Sequence, residues 1–115
     1  MRYCFAIDLV EDENKISEYR THHAAVWPEV EDSFRRAGID QVELYCTGNR
    51  LFMILDTNES FTFEKKEEID ASDPIVRKWE ALMSTYQKPL PWAKEREKWV
   101  VMDAIYKLQA KKPGS

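Results

Sequence analysis

The run Leu51-Phe52-Met53-Ile54-Leu55 restricts this chain more than any other part of it. An unbroken apolar stretch between Thr47-Gly48-Asn49-Arg50 and Asp56 reads as a β-strand, and successive side chains of a strand leave on opposite faces. Leu51, Met53 and Leu55 point one way and Phe52 and Ile54 the other, so the sheet that contains them needs cover on both sides. The segment Lys98 to Leu108 repeats the pattern, with Val100, Met102 and Tyr106 opposite Trp99, Val101 and Ile105. Helices packed on one side hide one face only. The second is left as an apolar surface, and such a surface is a place of contact. Two chains joined sheet to sheet meet the requirement.

The remaining elements follow from periodicity. Tyr3 to Val10 is a strand and Glu11 to Asn14 a polar turn. From Lys15 the spacing becomes helical through Ile16, Tyr19, His23, Val26 and Trp27. Pro28 interrupts it, because proline lacks the backbone donor and clashes with the preceding turn. A break near Ala24 to Trp27 is therefore expected, followed by a second helical piece, Glu29 to Ala37, that starts on Pro28 and ends at Gly38. Gln41 to Cys46 and Leu51 to Asp56 form a hairpin. Asn58 to Ile69 and Pro74 to Tyr86 read as helices, the second capped by Ser72 or Asp73. Lys88-Pro89-Leu90-Pro91 is a loop, and Lys98 to Leu108 is the last strand. The order β-α-β-β-α-α-β, with right-handed crossovers, predicts an α+β fold, a ferredoxin-like βαββαβ sandwich that pairs into a dimeric α+β barrel. Residues 1–109 are expected to form a single domain and residues 110–115 a disordered tail.

Composition narrows the function classes. A net charge of -4 with 33% charged residues argues against a nucleic-acid binder, which carries a basic face. No apolar segment approaches the roughly 20 residues that cross a bilayer, and no secretory leader is expected ahead of the first strand. Cys4 and Cys46 match neither a metal spacing nor a disulfide framework and read as small buried thiols in a reducing compartment, which suits the cytoplasm. With only 3 glycines the chain has no phosphate-cradling motif.

Few residues are equipped for chemistry. His22 and His23 are adjacent, so on a helix they point about 100° apart and cannot share one pocket. Tyr19 and His23 are four apart and can share a face. Taken alone, the pair reads as readily as a packed core histidine and aromatic as it does as a site. Consecutive histidines do not make an i, i+4 metal pair, and no third ligand is signposted, so neither a metal nor a cofactor is expected. The acidic runs Glu64 to Asp70 and Glu11 to Glu13 read as solvated faces. Trp27, Trp79, Trp92 and Trp99 suit the flat C–H faces of a sugar. Trp27 and Trp99 fit a core better, leaving Trp79 as the better candidate for a pocket wall.

The segment Glu18-Tyr19-Arg20-Thr21-His22-His23-Ala24-Ala25-Val26-Trp27-Pro28-Glu29 resembles the signature of the L-rhamnose mutarotases, Tyr-x3-His-x3-Trp-Pro-Glu. The resemblance extends to the aliphatic-aromatic first strand, the glycine after the first helical region and a tryptophan in the late helix, and it is nearest a branch associated with L-fucose as well as L-rhamnose. It implies that His23 is the proton donor, that Tyr19 and Trp79 contact the sugar, and that the protein is a homodimer taking a free monosaccharide. Two positions depart from the pattern. Glu80 stands where the family has a second tryptophan, and Val42 where it has a sugar-contacting tyrosine.

Mutarotation needs a proton at the ring oxygen as C1–O5 breaks and the removal of one from the anomeric hydroxyl. Histidine, with an ordinary pKa of about 6.5, offers both forms near neutrality. His23 is the expected acid; water or a carboxylate such as Glu29 is available as its counterpart. Two other classes fit a fold of this kind. One is an oxygenase, cofactor-free or carrying haem on His22 or His23, which a Soret band would reveal. The other is a non-catalytic deoxy-sugar-binding module, which would leave anomer exchange at the uncatalysed rate.

Overall fold

The computed structural model describes residues 1–110. The expected disordered tail lies outside the described residues from 111 onward. Strands β1 (Arg2–Leu9), β2 (Ile39–Thr47) and β3 (Arg50–Thr57) and helices α1 (Glu13–His23), α2 (Pro28–Ala37), α3 (Phe63–Ser72) and α4 (Pro74–Ser84) follow the expected order. Two short strands, β4 (Gln87–Lys88) and β5 (Val100–Val101), complete it. The sheet runs β2-β3-β1-β4, antiparallel, with β5 also on β1, which is the ferredoxin-like arrangement. Register assigns the faces. Ile7 lies opposite Leu51 and Phe5 opposite Met53, on the face where Ile7, Leu9 and Leu51 meet Tyr19, Val30, Val76, Trp79 and Met83 from the helices. Cys4 opposite Ile54, Ala6 opposite Phe52, and Tyr45 opposite Phe52 lie on the other face.

Local chemistry sets the boundaries. Asp12 caps α1, its Oδ1 accepting from the Asn14 and Lys15 backbone N–H groups at 2.9 and 3.1 Å. Trp27 is extended ahead of Pro28, as a residue before proline must be, and this separates α2 from α1. Gly38 ends α2 at φ 93°, and a Cβ there would stand 2.6 Å from Ser60 Oγ and 2.7 Å from Asn58 Oδ1, so only glycine fits. The β2–β3 hairpin turns on Gly48 at φ 53° and Asn49, whose side chain donates to the Leu9 carbonyl at 3.1 Å and ties the turn to β1.

Two expectations change. The third helix starts at Phe63 rather than Asn58, because Asn58 Oδ1 accepts from the Ser60 N–H and makes a turn first, and Thr62 caps the helix. The last strand, expected over Lys98 to Leu108, is two residues long. The Met102 N–H to Cys4 carbonyl bond at 2.7 Å is its last link to β1, which itself begins at Arg2. By this register the first residue of β1, Arg2, would face Ala104, so the chain from Ile105 on has no β1 edge to pair with, and Ile105, Tyr106 and Leu108 are 97%, 77% and 83% exposed. No helix among the described residues is long and apolar enough to cross a membrane.

Candidate active site

The end of α1 and the middle of α4 meet over the covered face of the sheet. Tyr19 and His23, one turn apart on α1, stack with ring centroids 4.4 Å apart. Trp79 of α4 stands edge-on to His23 at 5.4 Å and to Trp27 at 5.1 Å. Tyr19 and Trp79 are 3% and 6% exposed, and both belong to the core as well as to the wall of a cavity of about 720 Å³. That volume falls within the roughly 300–1,000 Å³ of small-molecule sites. His23, Tyr19, Gln87 and Trp79 line one side, Leu44 and Met53 of the sheet form part of the floor, and Lys66, Asp70, Glu80 and Lys98 line another part.

The structure separates the two histidines. His22 turns to Tyr86, its Nε2 lying 3.2 Å from the phenol oxygen. His23 faces the cavity, with Nδ1 at 2.9 Å from the Tyr19 carbonyl oxygen. A carbonyl can only accept, so Nδ1 carries the hydrogen and the neutral ring has its lone pair on Nε2. Among the described residues Nε2 has no hydrogen-bond partner and is not fully buried. Burial lowers the His23 pKa from its ordinary value; the bond to Tyr19 works against this and the neighbouring His22 with it. The resting imidazole is therefore neutral at pH 7 and presents an acceptor. Burial pushes the Tyr19 phenol up to about 12, so it keeps its proton. Gln87 Nε2 donates to the Tyr19 oxygen at 3.5 Å, leaving the phenol hydrogen free to donate.

The charged side of the cavity was not anticipated. Lys66 and Asp70, in a run expected to be solvated, have side chains only 17% and 15% exposed. They pair at i, i+4 with Nζ to carboxylate distances of 2.5 and 2.6 Å, and the ammonium sits 4.4 Å from the centre of the Phe34 ring. Pairing and a cation–π contact offset the cost of burying both. The opposite charges one turn apart, beside Ile69, were the available signal. Gln87 had none, since it reaches Tyr19 from a segment distant in sequence. Trp99, read as core, packs on both apolar clusters and also lines the cavity. Val42 lines it too, from β2, whereas Glu29 does not. No group of three or more His, Cys, Asp or Glu side chains among the described residues is placed to hold a metal ion.

Comparison with known proteins gives the family and the fold. A sequence model of the L-rhamnose mutarotase family matches residues 2–108. An L-fucose mutarotase of Xanthomonas campestris pv. campestris is 38% identical over 109 residues, covering 93% of this chain and 87% of that protein. The crystal structure of an L-rhamnose mutarotase from Formosa agariphila superposes with a TM-score of 0.68 at 17% identity, covering 95% of this chain and 99% of the other. A dimeric ferredoxin-like protein from an uncultured marine organism superposes with a TM-score of 0.56 at 14% identity, covering 94% and 91%. At these identities the two structures speak for the fold.

Proposed function

This chain belongs to the L-rhamnose mutarotase family, and on that footing we propose that it is an isomerase that interconverts the α and β pyranose anomers of L-rhamnose or L-fucose by acid–base ring opening in this cavity. The observation that carries the mechanism is the His23 ring on the cavity wall, held by Nδ1 at 2.9 Å from the Tyr19 carbonyl oxygen, with no hydrogen-bond partner on Nε2 among the described residues. In the opening step Nε2 takes the proton of the anomeric hydroxyl as the C1 carbonyl forms; in the closing step the imidazolium returns it to that oxygen. His23 is thus acceptor first and donor second, the reverse of the order expected from the resemblance. Tyr19 orients the sugar with its phenol hydrogen, and Trp79 gives its pyranose ring a flat apolar wall. One positioned acid–base group contributes about 10²–10⁴-fold, enough for a reaction that already proceeds unaided. His23→Ala is expected to remove that factor, read as anomer exchange by NMR saturation transfer, while helix and sheet content persist. Retention of the full rate would sink the assignment, and exchange at the uncatalysed rate in the unsubstituted protein would favour a sugar-binding module.

The same reading makes the protein a homodimer of the single domain 1–109. Cys4, Ala6, Phe52, Ile54 and Tyr45 form an apolar stripe without a helix over it, and the arm after Met102 presents Ile105, Tyr106 and Leu108. A second copy packed on this face would close the barrel and give the arm a surface. Cys4 and Cys46 are free thiols, which supports a cytoplasmic setting.

A further inference from the structure

We propose that Gln87 is a sugar-contacting residue which, together with Tyr19, grips the hydroxyl on C2, next to the reacting C1. The proposal rests on the mutarotase reading and deepens it by naming a specificity-determining residue of the same site. Gln87 is half-buried and lines the cavity with Tyr19, His23 and Trp79. Its side chain already touches the machinery, because its Nε2 donates to the Tyr19 phenol oxygen at 3.5 Å and the Tyr19 ring stacks on His23 with centroids 4.4 Å apart.

The segment that carries Gln87 is docked on α1 at two neighbouring points. Tyr86 and Gln87 are consecutive, and they meet His22 and Tyr19, which share a side of the helix. Tyr86 sets its phenol oxygen 3.2 Å from His22 Nε2 and its ring edge-on to Tyr19 at 6.1 Å. The backbone fixes the same stretch. The Val10 N–H donates to the Tyr86 carbonyl at 2.9 Å, and the pairing of β4 with β1 sets Gln87 opposite Leu9 and Lys88 opposite Asp8. His22 does not line the cavity. Its contact with Tyr86 helps hold the amide in place from behind.

The amide has more hydrogen-bonding capacity than Tyr19 uses. Among the described residues Oε1 has no hydrogen-bond partner and is not fully buried. The Tyr19 phenol keeps its proton and, with Gln87 bonding its oxygen, has that hydrogen to give. An acceptor and a donor therefore stand on either side of one hydrogen bond. A hydroxyl gives one hydrogen and accepts another, so the couple matches a single hydroxyl. The stack of Tyr19 on His23 sets this couple at the anomeric end of a sugar whose O1 meets His23 Nε2. The oxygens flanking O1 there are O2 and O5. O5 is an ether oxygen in the closed ring and has no hydrogen to offer Oε1, which leaves O2. No proton is transferred through Gln87. Held at O2, the open chain can turn about C1–C2 and present either face of the aldehyde without leaving the cavity. L-Rhamnose and L-fucose carry that hydroxyl in opposite configurations, so the grip fits one of them better than the other.

Protein-dependent anomer exchange of L-fucose, L-rhamnose and their 2-deoxy counterparts, measured by saturation transfer for the unsubstituted protein, Gln87→Met and His23→Ala, tests the grip. Methionine keeps the length of the side chain and removes its amide. Gln87→Met is expected to lower kcat/KM about 5-fold or more for the better of L-fucose and L-rhamnose, the scale of one neutral hydrogen bond, and to leave the 2-deoxy counterpart of that sugar unchanged. The unsubstituted protein is expected to lose a similar factor when the hydroxyl is taken from the sugar instead, a result that does not depend on any variant folding. Equal losses on the hydroxylated and 2-deoxy sugars, or no loss on either, with exchange gone in His23→Ala, would overturn the grip and leave the mutarotase reading standing. Exchange at the uncatalysed rate in the unsubstituted protein would overturn both.

Discussion

On the covered face of the sheet Ile7, Leu9 and Leu51 are 1% exposed beneath Tyr19, Val76 and Trp79. On the uncovered face their immediate neighbours Ala6 and Phe52 are half-buried, and Tyr45 is 52% exposed. The same three strands write both surfaces, one residue out of step. The covered face buries its aromatics among helices, and Tyr19 and Trp79 belong both to that core and to the cavity wall, so a change there alters stability and chemistry together. The open face carries apolar groups with no helix over them, so under the proposed pairing a change there is expected to alter association and leave the fold and the cavity alone.

Several substitutions would break or sharpen this contrast. Trp79→Ala removes an indole packed against His23 and Trp27, and is expected to cost about 3–5 kcal/mol in urea unfolding together with most of the exchange activity. If activity fell and stability did not, the core and the cavity wall would be separable after all. Phe52→Asp, on the other face, is expected to give a monomer by sedimentation, losing about 2 kcal/mol or more of association free energy while the monomer's helix and sheet content persists. A variant that stayed dimeric would place the interface elsewhere. Tyr19→Phe keeps the ring stack and removes the oxygen that Gln87 bonds, so a loss of about 1 kcal/mol in stability is expected with a clearer drop in kcat/KM.

The smallest effect is one of pH. His23 binds its proton less readily in the folded state than at its ordinary pKa of 6.5, because of burial. Below 6.5 the unfolded chain therefore takes up the proton first, and stability falls as the pH drops from there through the folded-state pKa. Unfolding free energies measured across that window should decline with acidification in the unsubstituted protein and less so in His23→Gln.

Much of this was legible in the residues. The alternation in β1 to β3, the Pro28 break and the Gly38 stop follow from local sterics and periodicity. Tyr19 and His23 could be paired by helical spacing, and the His22 and His23 directions separated, but the spacing could not say which one faced a cavity. What failed needed information from across the chain. The alternation through Tyr106 predicts a strand only if an edge exists to receive it, and β1 ends too early. Lys66 and Asp70 look solvated in a run of charges because their burial depends on Phe34 and on each other. Gln87 reaches Tyr19 across 68 positions, which no local pattern records.

The ends of the open stripe carry their own instruction. Along β1 and β3 the outward ladder reads Arg2 with Asp56 at 2.9 Å, then Cys4 with Ile54, Ala6 with Phe52, and finally Asp8 with Arg50 at 2.7 Å. Hydrocarbon is indifferent to sliding, but a copy displaced along the strands by one rung would drag fixed charges over methyl and phenyl groups at both ends. In the proposed dimer the ion pairs would act as buffers at the ends of a greased rail, setting where two molecules stop against each other without adding much to the grip.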